Sequence, residues 1–158
     1  MIVELSTTLR ATTDDCIAAV MTPALLRHVA APLVRFEPVA PGGWPACWSP
    51  GAFPVRMTLF GLLPLGEQVI DISLPPTAPG RFALRDNGRS RQIRRWDHLI
   101  TIEPLGSGTR YTDRVEVEAG WRTPFVWLFA RLFYAHRQRR WRRLAERGAL
   151  PPFVSVLS

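Results

Sequence analysis

Few residues in this chain could do chemistry, and the best two fall on what read as neighbouring strands. One strand runs from Arg91 to Glu103, and Trp96, His98, Ile100 and Ile102 share its more apolar face. The next runs from Thr109 to Ala119, with Tyr111, Asp113, Val115 and Val117 alternating onto one face. A hairpin closed at Gly106-Ser107 pairs Leu105 with Gly108, Ile100 with Asp113 and His98 with Val115. That register makes His98 and Asp113 diagonal neighbours on the inner face. A buried imidazole beside a carboxylate is the equipment of a proton-transfer pair, His98 as base and Asp113 as its orienting partner. The same two groups could equally satisfy each other inside an apolar interior, because structural pairs perturb pKa values too. Tyr111 could donate to a ligand carbonyl, or simply pack with its hydroxyl at the rim.

Other chemistries lack their patterns. His28 and His136 stand alone on helical segments, and no His, Cys, Asp and Glu cluster has metal spacing. Gly42-Gly43 and Gly106 to Gly108 read as turns and not as phosphate loops, and no Ser sits in a nucleophile elbow. The expectation is neither metal nor cofactor. Cys16 and Cys47 have no redox spacing and read as free thiols of a reducing compartment. Residues Met1 to Arg10 lack the charged start and apolar centre of a secretion signal, so the expected location is cytoplasmic.

The element that must position this pair is one long helix from about Pro124 to Arg147. Thr123 suits its N-cap and Pro124 its first position. Gly148 suits its left-handed end, and Pro151-Pro152 forbid resumption. Its first half is apolar nearly all round. Phe125, Leu128, Phe129 and Leu132 follow helical spacing, and so do Trp127, Ala130, Tyr134 and Trp141. A helix apolar on both sides is buried on both, or meets a ligand, partner or membrane on one. Arg131 interrupts the apolar run far short of the ~20 residues that span a bilayer.

The second half of that helix is an arginine run. The chain has 158 residues, enough for one domain with a real core. All 20 basic residues are Arg, which reads as a coding bias. The net charge is +7, and residues 121–147, with eight Arg against one Glu, account for all of it. Such a run is usually a solvated face. It also suits weak, salt-dependent contact with anionic surfaces, with Trp141 placed to enter a membrane interface. The alternative is that Trp141 and Leu144 pack on the sheet. No groove-reading element accompanies the run, so specific nucleic-acid recognition is not expected.

The rest of the chain reads as strand, two short helices, then a meander. Ile2 to Leu9 alternates as a strand. Thr12-Thr13-Asp14-Asp15 starts one short helix, and Pro23 starts another that stops at Pro32. Leu33 to Val39 is a second strand, at an edge because of Pro38. A Pro- and Gly-rich loop to Phe53 carries Trp44 and Trp48, at a cavity mouth or plugging the end of the core. Strands follow at Phe53 to Phe60, Glu67 to Leu74 and Arg81 to Asp86, and Asp86-Asn87-Gly88 reads as a turn. Strands and helices segregated in this way predict an α+β fold, one sheet wrapped on a helix.

At this point the chain resembles a known superfamily. The matching pieces are Leu63-Pro64-Leu65-Gly66, Trp96-Asp97-His98, the strand Gly108 to Glu116, and His136-Arg137-Gln138-Arg139-Arg140. The order of elements is similar to the helix-grip fold of START-like proteins, and more closely to the bacterial polyketide cyclase/dehydrase and lipid-transport group, the SRPBCC proteins. The resemblance covers essentially residues 1–158 as a single domain. It implies seven antiparallel strands gripping the long helix, around a cavity for apolar or aromatic small molecules. It transfers no catalytic residue, and the second His often seen in the sixth strand is Ile100 here. The expected cavity is lined by Trp96, His98, Ile100, Tyr111, Asp113, Val115, Phe125, Leu128, Phe129 and Leu132, with Trp44 and Trp48 at its mouth. Binding or carriage of a hydrophobic small molecule leads. A cofactor-free cyclase or dehydratase using His98 and Asp113, and an anionic-surface module, are the alternatives.

Overall fold

The computed structural model describes residues 1–90 and 93–150. Strand β1 (Ile2–Leu9) leads to helices α1 (Thr13–Val20) and α2 (Pro23–Ala30). Strands β2 (Val34–Pro38), β3 (Gly51–Leu59), β4 (Leu63–Ser73), β5 (Phe82–Ser90), β6 (Arg95–Leu105) and β7 (Gly108–Glu118) follow, and helix α3 (Thr123–Glu146) closes the chain. The seven strands form one antiparallel sheet in the order β1-β7-β6-β5-β4-β3-β2. This is the expected α+β helix-grip fold. The expected strand start at Arg91 and the helix stop at Pro151-Pro152 lie outside the described residues.

Local chemistry explains most boundaries. The Thr12 hydroxyl accepts from the Asp15 N–H (3.1 Å) and caps α1. The Thr22 hydroxyl accepts from the Leu25 N–H (3.2 Å) and donates to the Ala19 carbonyl (2.8 Å), so one side chain caps α2 and ties it to α1. Pro38 lies on the edge strand, where no ladder bond is asked of it. Gly148 takes the left-handed conformation (φ 61°) that ends α3.

Two local expectations need correction. Thr123 is not the N-cap of α3 but its first residue. Its hydroxyl accepts from the Ala119 N–H (2.9 Å) and donates to the Gly120 carbonyl (2.7 Å). It thereby holds the tight 3₁₀ turn, Gly120–Arg122, through which β7 turns into the helix. Asp86-Asn87-Gly88 is not a turn, because β5 continues through it to Ser90. Gly88 is there for close approach. A Cβ at that position would meet Gln68 Nε2 at 2.7 Å and the Trp96 carbonyl oxygen at 3.3 Å.

The register of β6 on β7 is the one that positions the site: Leu105↔Gly108, Ile100↔Asp113 and His98↔Val115. Helix α3 does not lie centrally over the sheet. It lies over β1 and β7, where Trp127 Nε1 donates to the Ile2 carbonyl (2.8 Å) and Gln138 Nε2 to the Leu5 carbonyl (2.8 Å). Ala130, fully buried, leaves room for that approach. Farther along, His136 Nε2 donates to the Ala31 carbonyl (2.8 Å) and Arg140 Nε to the His28 carbonyl (2.9 Å). Carbonyls at and just after the end of α2 thus find partners on α3. Trp141 is buried edge-on against Tyr111, with centroids 4.2 Å apart. It packs on the sheet and is not placed to enter a membrane. Its apolar area is worth more inside this core than at an interface.

Candidate functional site

The pair legible in the sequence sits at the centre of a hydrogen-bond cluster. His98 Nε2 and Asp113 Oδ1 are 2.7 Å apart, both side chains being buried. The Tyr111 hydroxyl donates to the same oxygen (2.5 Å), and Gln138 Nε2 donates to Oδ2 (2.9 Å). Burial opposes the charge on Asp113, but the hydrogen bonds from His98 and the Tyr111 hydroxyl and the Arg137 charge outweigh it and hold the carboxyl below its ordinary range. Burial lowers the His98 pKa in spite of Asp113, so the ring is neutral near pH 7. An ionised carboxylate only accepts, so the His98 proton is on Nε2. Burial and the Asp113 charge push the Tyr111 phenol well up, and it remains a donor.

Beside this cluster lies a cavity of about 640 Å³, in the range of ligand pockets. It opens over the half of the sheet that α3 leaves uncovered. Val20, Leu25 and Leu26 of the short helices form one wall, with Phe36, Met57, Ile70, Ile72 and Leu84 on the strands. Phe125, Val126, Phe129, Phe133 and Tyr134 of α3 form the other. Polar groups are few: Gln68, Asp86, Ser90, His98 and Arg137, with Arg122 beside Trp121 on the 3₁₀ turn. Trp96 Nε1 donates to the Tyr134 hydroxyl (3.2 Å), and the His98 ring packs on Tyr134 with centroids 4.6 Å apart. Among the described residues no three His, Cys, Asp or Glu side chains converge as metal ligands would.

The expected lining residues divide. Trp96, His98, Ile100, Phe125 and Phe129 do face this cavity, as does Trp48 from the loop. Trp44 packs edge-on against Trp48 (5.9 Å) without lining the space itself. Tyr111, Asp113 and Val115 are buried but lie outside the lining, because α3 covers their strand directly. Leu128 and Leu132 were expected inside and are outside, Leu132 being 60% exposed. The helix has two apolar stripes, and the one containing small Ala130 is the one that can approach a sheet.

Of these polar residues only His98 was expected from the sequence, and Asp86 and Arg137 are the ionisable ones among the rest that lie deep in the cavity. Asp86 was hidden by its turn-like neighbours, although Phe82, Leu84, Asp86, Gly88 and Ser90 alternate onto one face as any strand would. Asp86 Oδ1 accepts from the Asp71 N–H (2.9 Å), and the β4–β5 pairing is interrupted between Val69↔Arg89 and Ile72↔Asp86. The residue is only half-buried because its accessible surface faces the cavity. Burial away from bulk water raises its pKa to about 7, against the Asp71 N–H and the Arg137 charge, with Asp71 and Asp97 raising it further. Arg137 was absorbed into the arginine run. Yet it sits three residues after Tyr134 and four before Trp141, inside the buried stripe. Burial works against its charge, but Tyr111, Asp113, Tyr134 and Asp86 hold its pKa above the ordinary value.

A family model described as "Domain of unknown function (DUF8410)" matches residues 7–145. The chain belongs to that family. No curated protein matches the chain. Solved structures similar to this DUF8410 chain include a START superfamily protein from Mycobacterium smegmatis, 16% identical, with a TM-score of 0.58 over 92% of this chain and 97% of that one. The AHSA1 protein from Silicibacter pomeroyi is 14% identical, with a TM-score of 0.60 over 95% and 99%. A protein from Chromobacterium violaceum is 17% identical, with a TM-score of 0.64 over 92% and 96%. At these identities the likeness establishes the START-like helix-grip fold and nothing finer.

The two carboxylates generate opposite predictions. Asp113→Ala strands three buried donors and is expected to cost about 3–5 kcal/mol in urea unfolding, whereas Arg95→Ala, which removes a surface pair with Glu116, costs less than about 1 kcal/mol. Equal losses would mean Asp113 is not the junction described. Asp86 has its folded pKa raised from 3.8 to about 7, so its contribution is full below about pH 4 and is lost as pH rises toward 7. Asp86→Asn keeps an acceptor for Asp71 but has no such titration. The Tm of the variant relative to the native protein should therefore climb from pH 4 to 8 and then level. A difference independent of pH would contradict the assignment. Comparing the two proteins at each pH cancels the separate titration of His98.

Proposed function

We propose that residues 1–158 act as a single START-like domain that binds or carries a hydrophobic or aromatic small molecule in the cavity between sheet and α3. The observation that supports this most is the cavity itself, large and walled almost wholly by aliphatic and aromatic side chains. Proton transfer by His98 and Asp113 is the lesser reading. Asp113 has both oxygens engaged by three donors and is screened from the cavity, and His98 has Nε2 engaged by Asp113. Titration with the neutral fluorophore N-phenyl-1-naphthylamine tests binding. Saturable, blue-shifted emission is expected, and it should weaken at least tenfold in Met57→Trp, which fills the cavity. Absence of saturable binding by the native protein would defeat the proposal.

A second reading has its own observation. Phe125, Leu128 and Leu132 form an exposed apolar seam on α3, with Arg131 beside it and Arg139, Arg142 and Arg143 farther along. Apolar seams flanked by arginines suit weak contact with anionic lipid surfaces. No helix among the described residues is long and apolar enough to cross a membrane. Co-sedimentation with anionic vesicles is expected at low salt, falling steeply at physiological salt, and Leu132→Asp should reduce it. Equal sedimentation with neutral and anionic vesicles at low salt would remove this reading.

A further inference from the structure

Deep in the cavity an arginine and an aspartate stand near each other without pairing. Arg137 is 8% exposed and lines the space. Among the described residues its Nε has no hydrogen-bond partner and the side chain makes no ion pair within 4.0 Å. Its guanidinium carbon lies 4.9 Å from the Tyr134 ring centroid and 5.7 Å from that of Phe133. Cation–π contacts of this kind offset only part of the cost of burying a charge. Asp86 lines the same cavity, with one oxygen taken by the Asp71 N–H and the other left for a further partner.

We propose that the cavity's ligand is an amphipathic monocarboxylic acid, whose carboxylate pairs with Arg137 and accepts a hydrogen bond from the Asp86 carboxyl while its chain or rings fill the apolar space. The inference rests on the cavity-binding function above and names its ligand class. Charge matching favours a monoanion. Among the described residues Arg137 is the one cation deep in the lining, His98 is neutral, and Arg122 stands exposed on the 3₁₀ turn. A phosphate dianion would leave a charge unmatched in a desolvated site. A guanidinium fork also fits a carboxylate with two parallel hydrogen bonds. Burial raises the Asp86 pKa to about 7, so at and below neutrality the group can donate to an incoming carboxylate and does not simply repel it. On the cavity side the charged and titratable groups beside Asp86 are Arg137 on α3 and His98, its cross-strand partner on β6. Asp71 on β4 and Asp97 on β6 act on it from the other face of the sheet, where they pair with Arg89 and Arg85. Gln68 and Ser90 are further hydrogen-bonding side chains on the wall.

The test displaces N-phenyl-1-naphthylamine from the native protein at pH 6.5 with three ligands of one chain length: dodecanoate, 1-dodecanol and dodecyl phosphate. Dodecanoate is expected to compete at least about tenfold more tightly than either of the others. Arg137→Met should bring acid and alcohol to within about threefold of each other. In the native protein, dodecanoate affinity should fall as pH rises from 6 to 8.5, because Asp86 loses its proton, and Asp86→Asn should flatten that fall. Fluorophore binding with equal competition by acid and alcohol overturns this inference and leaves the cavity function standing. Preference for dodecyl phosphate overturns the ligand class. An acid preference that persists in Arg137→Met overturns the residue assignment. Should that variant not fold, the native ligand ranking and its pH profile decide alone. Failure of the fluorophore and all three ligands to bind overturns the cavity function and this inference with it.

Discussion

A carboxylate with no bulk water around it must be surrounded by donors or give up its charge, and Asp113 is surrounded. Its donors come from its own strand (Tyr111), the adjacent strand (His98) and the helix (Gln138). Gln138 Nε2 also donates to the Leu5 carbonyl of the edge strand β1. Through a single carboxyl group three strands and α3 are therefore registered against one another. The aromatic contacts follow from that registration. With Gln138 held at Asp113, Tyr134 and Trp141, one turn on either side, meet His98 and Tyr111 respectively. The network is costly to form in a low-dielectric interior, but once complete it tolerates only one helix position.

The side of the sheet that the helix leaves uncovered is where the cavity lies. An apolar surface left open in water would collapse, and here it is kept open by its frame. Helices α1 and α2 roof it, and the carbonyls near the end of α2 are tied to His136 and Arg140. Trp48, whose N–H donates to the Met21 carbonyl at 2.7 Å, closes one side with Phe53. Thus two residues of the arginine-rich half act within the fold, Arg140 on α2 and Arg137 on the cavity wall, while Arg139, Arg142 and Arg143 extend toward solvent.

Much of this was legible because period-2 alternation and a short hairpin fix a register without outside help. The His98 and Asp113 relationship followed from one turn and simple counting. What was not legible depended on tertiary choice. A helix apolar on two sides does not say which side meets the sheet, and the answer turned on Ala130, a residue whose small size is its function. Asp86 was hidden because Asp-Asn-Gly favours turns locally, and only the neighbouring Gln68 and Trp96 explain why Gly88 belongs in a strand. Arg137 looked like its exposed neighbours, since charge type carries no information about helical phase until the buried stripe is known.

The off-centre seat of the helix divides the molecule mechanically. The β1-β7-α3 side is cross-linked through a charged centre and has little room to deform. The pouch formed by β2 to β5 with the short helices is held mainly by dispersion forces and by a β4–β5 seam that is locally unzipped at Asp86. Changes of side-chain size in the pouch alter its shape while the charged frame continues to specify the fold. A domain built in this way can exchange one guest molecule for another over evolutionary time without having to reinvent how it folds.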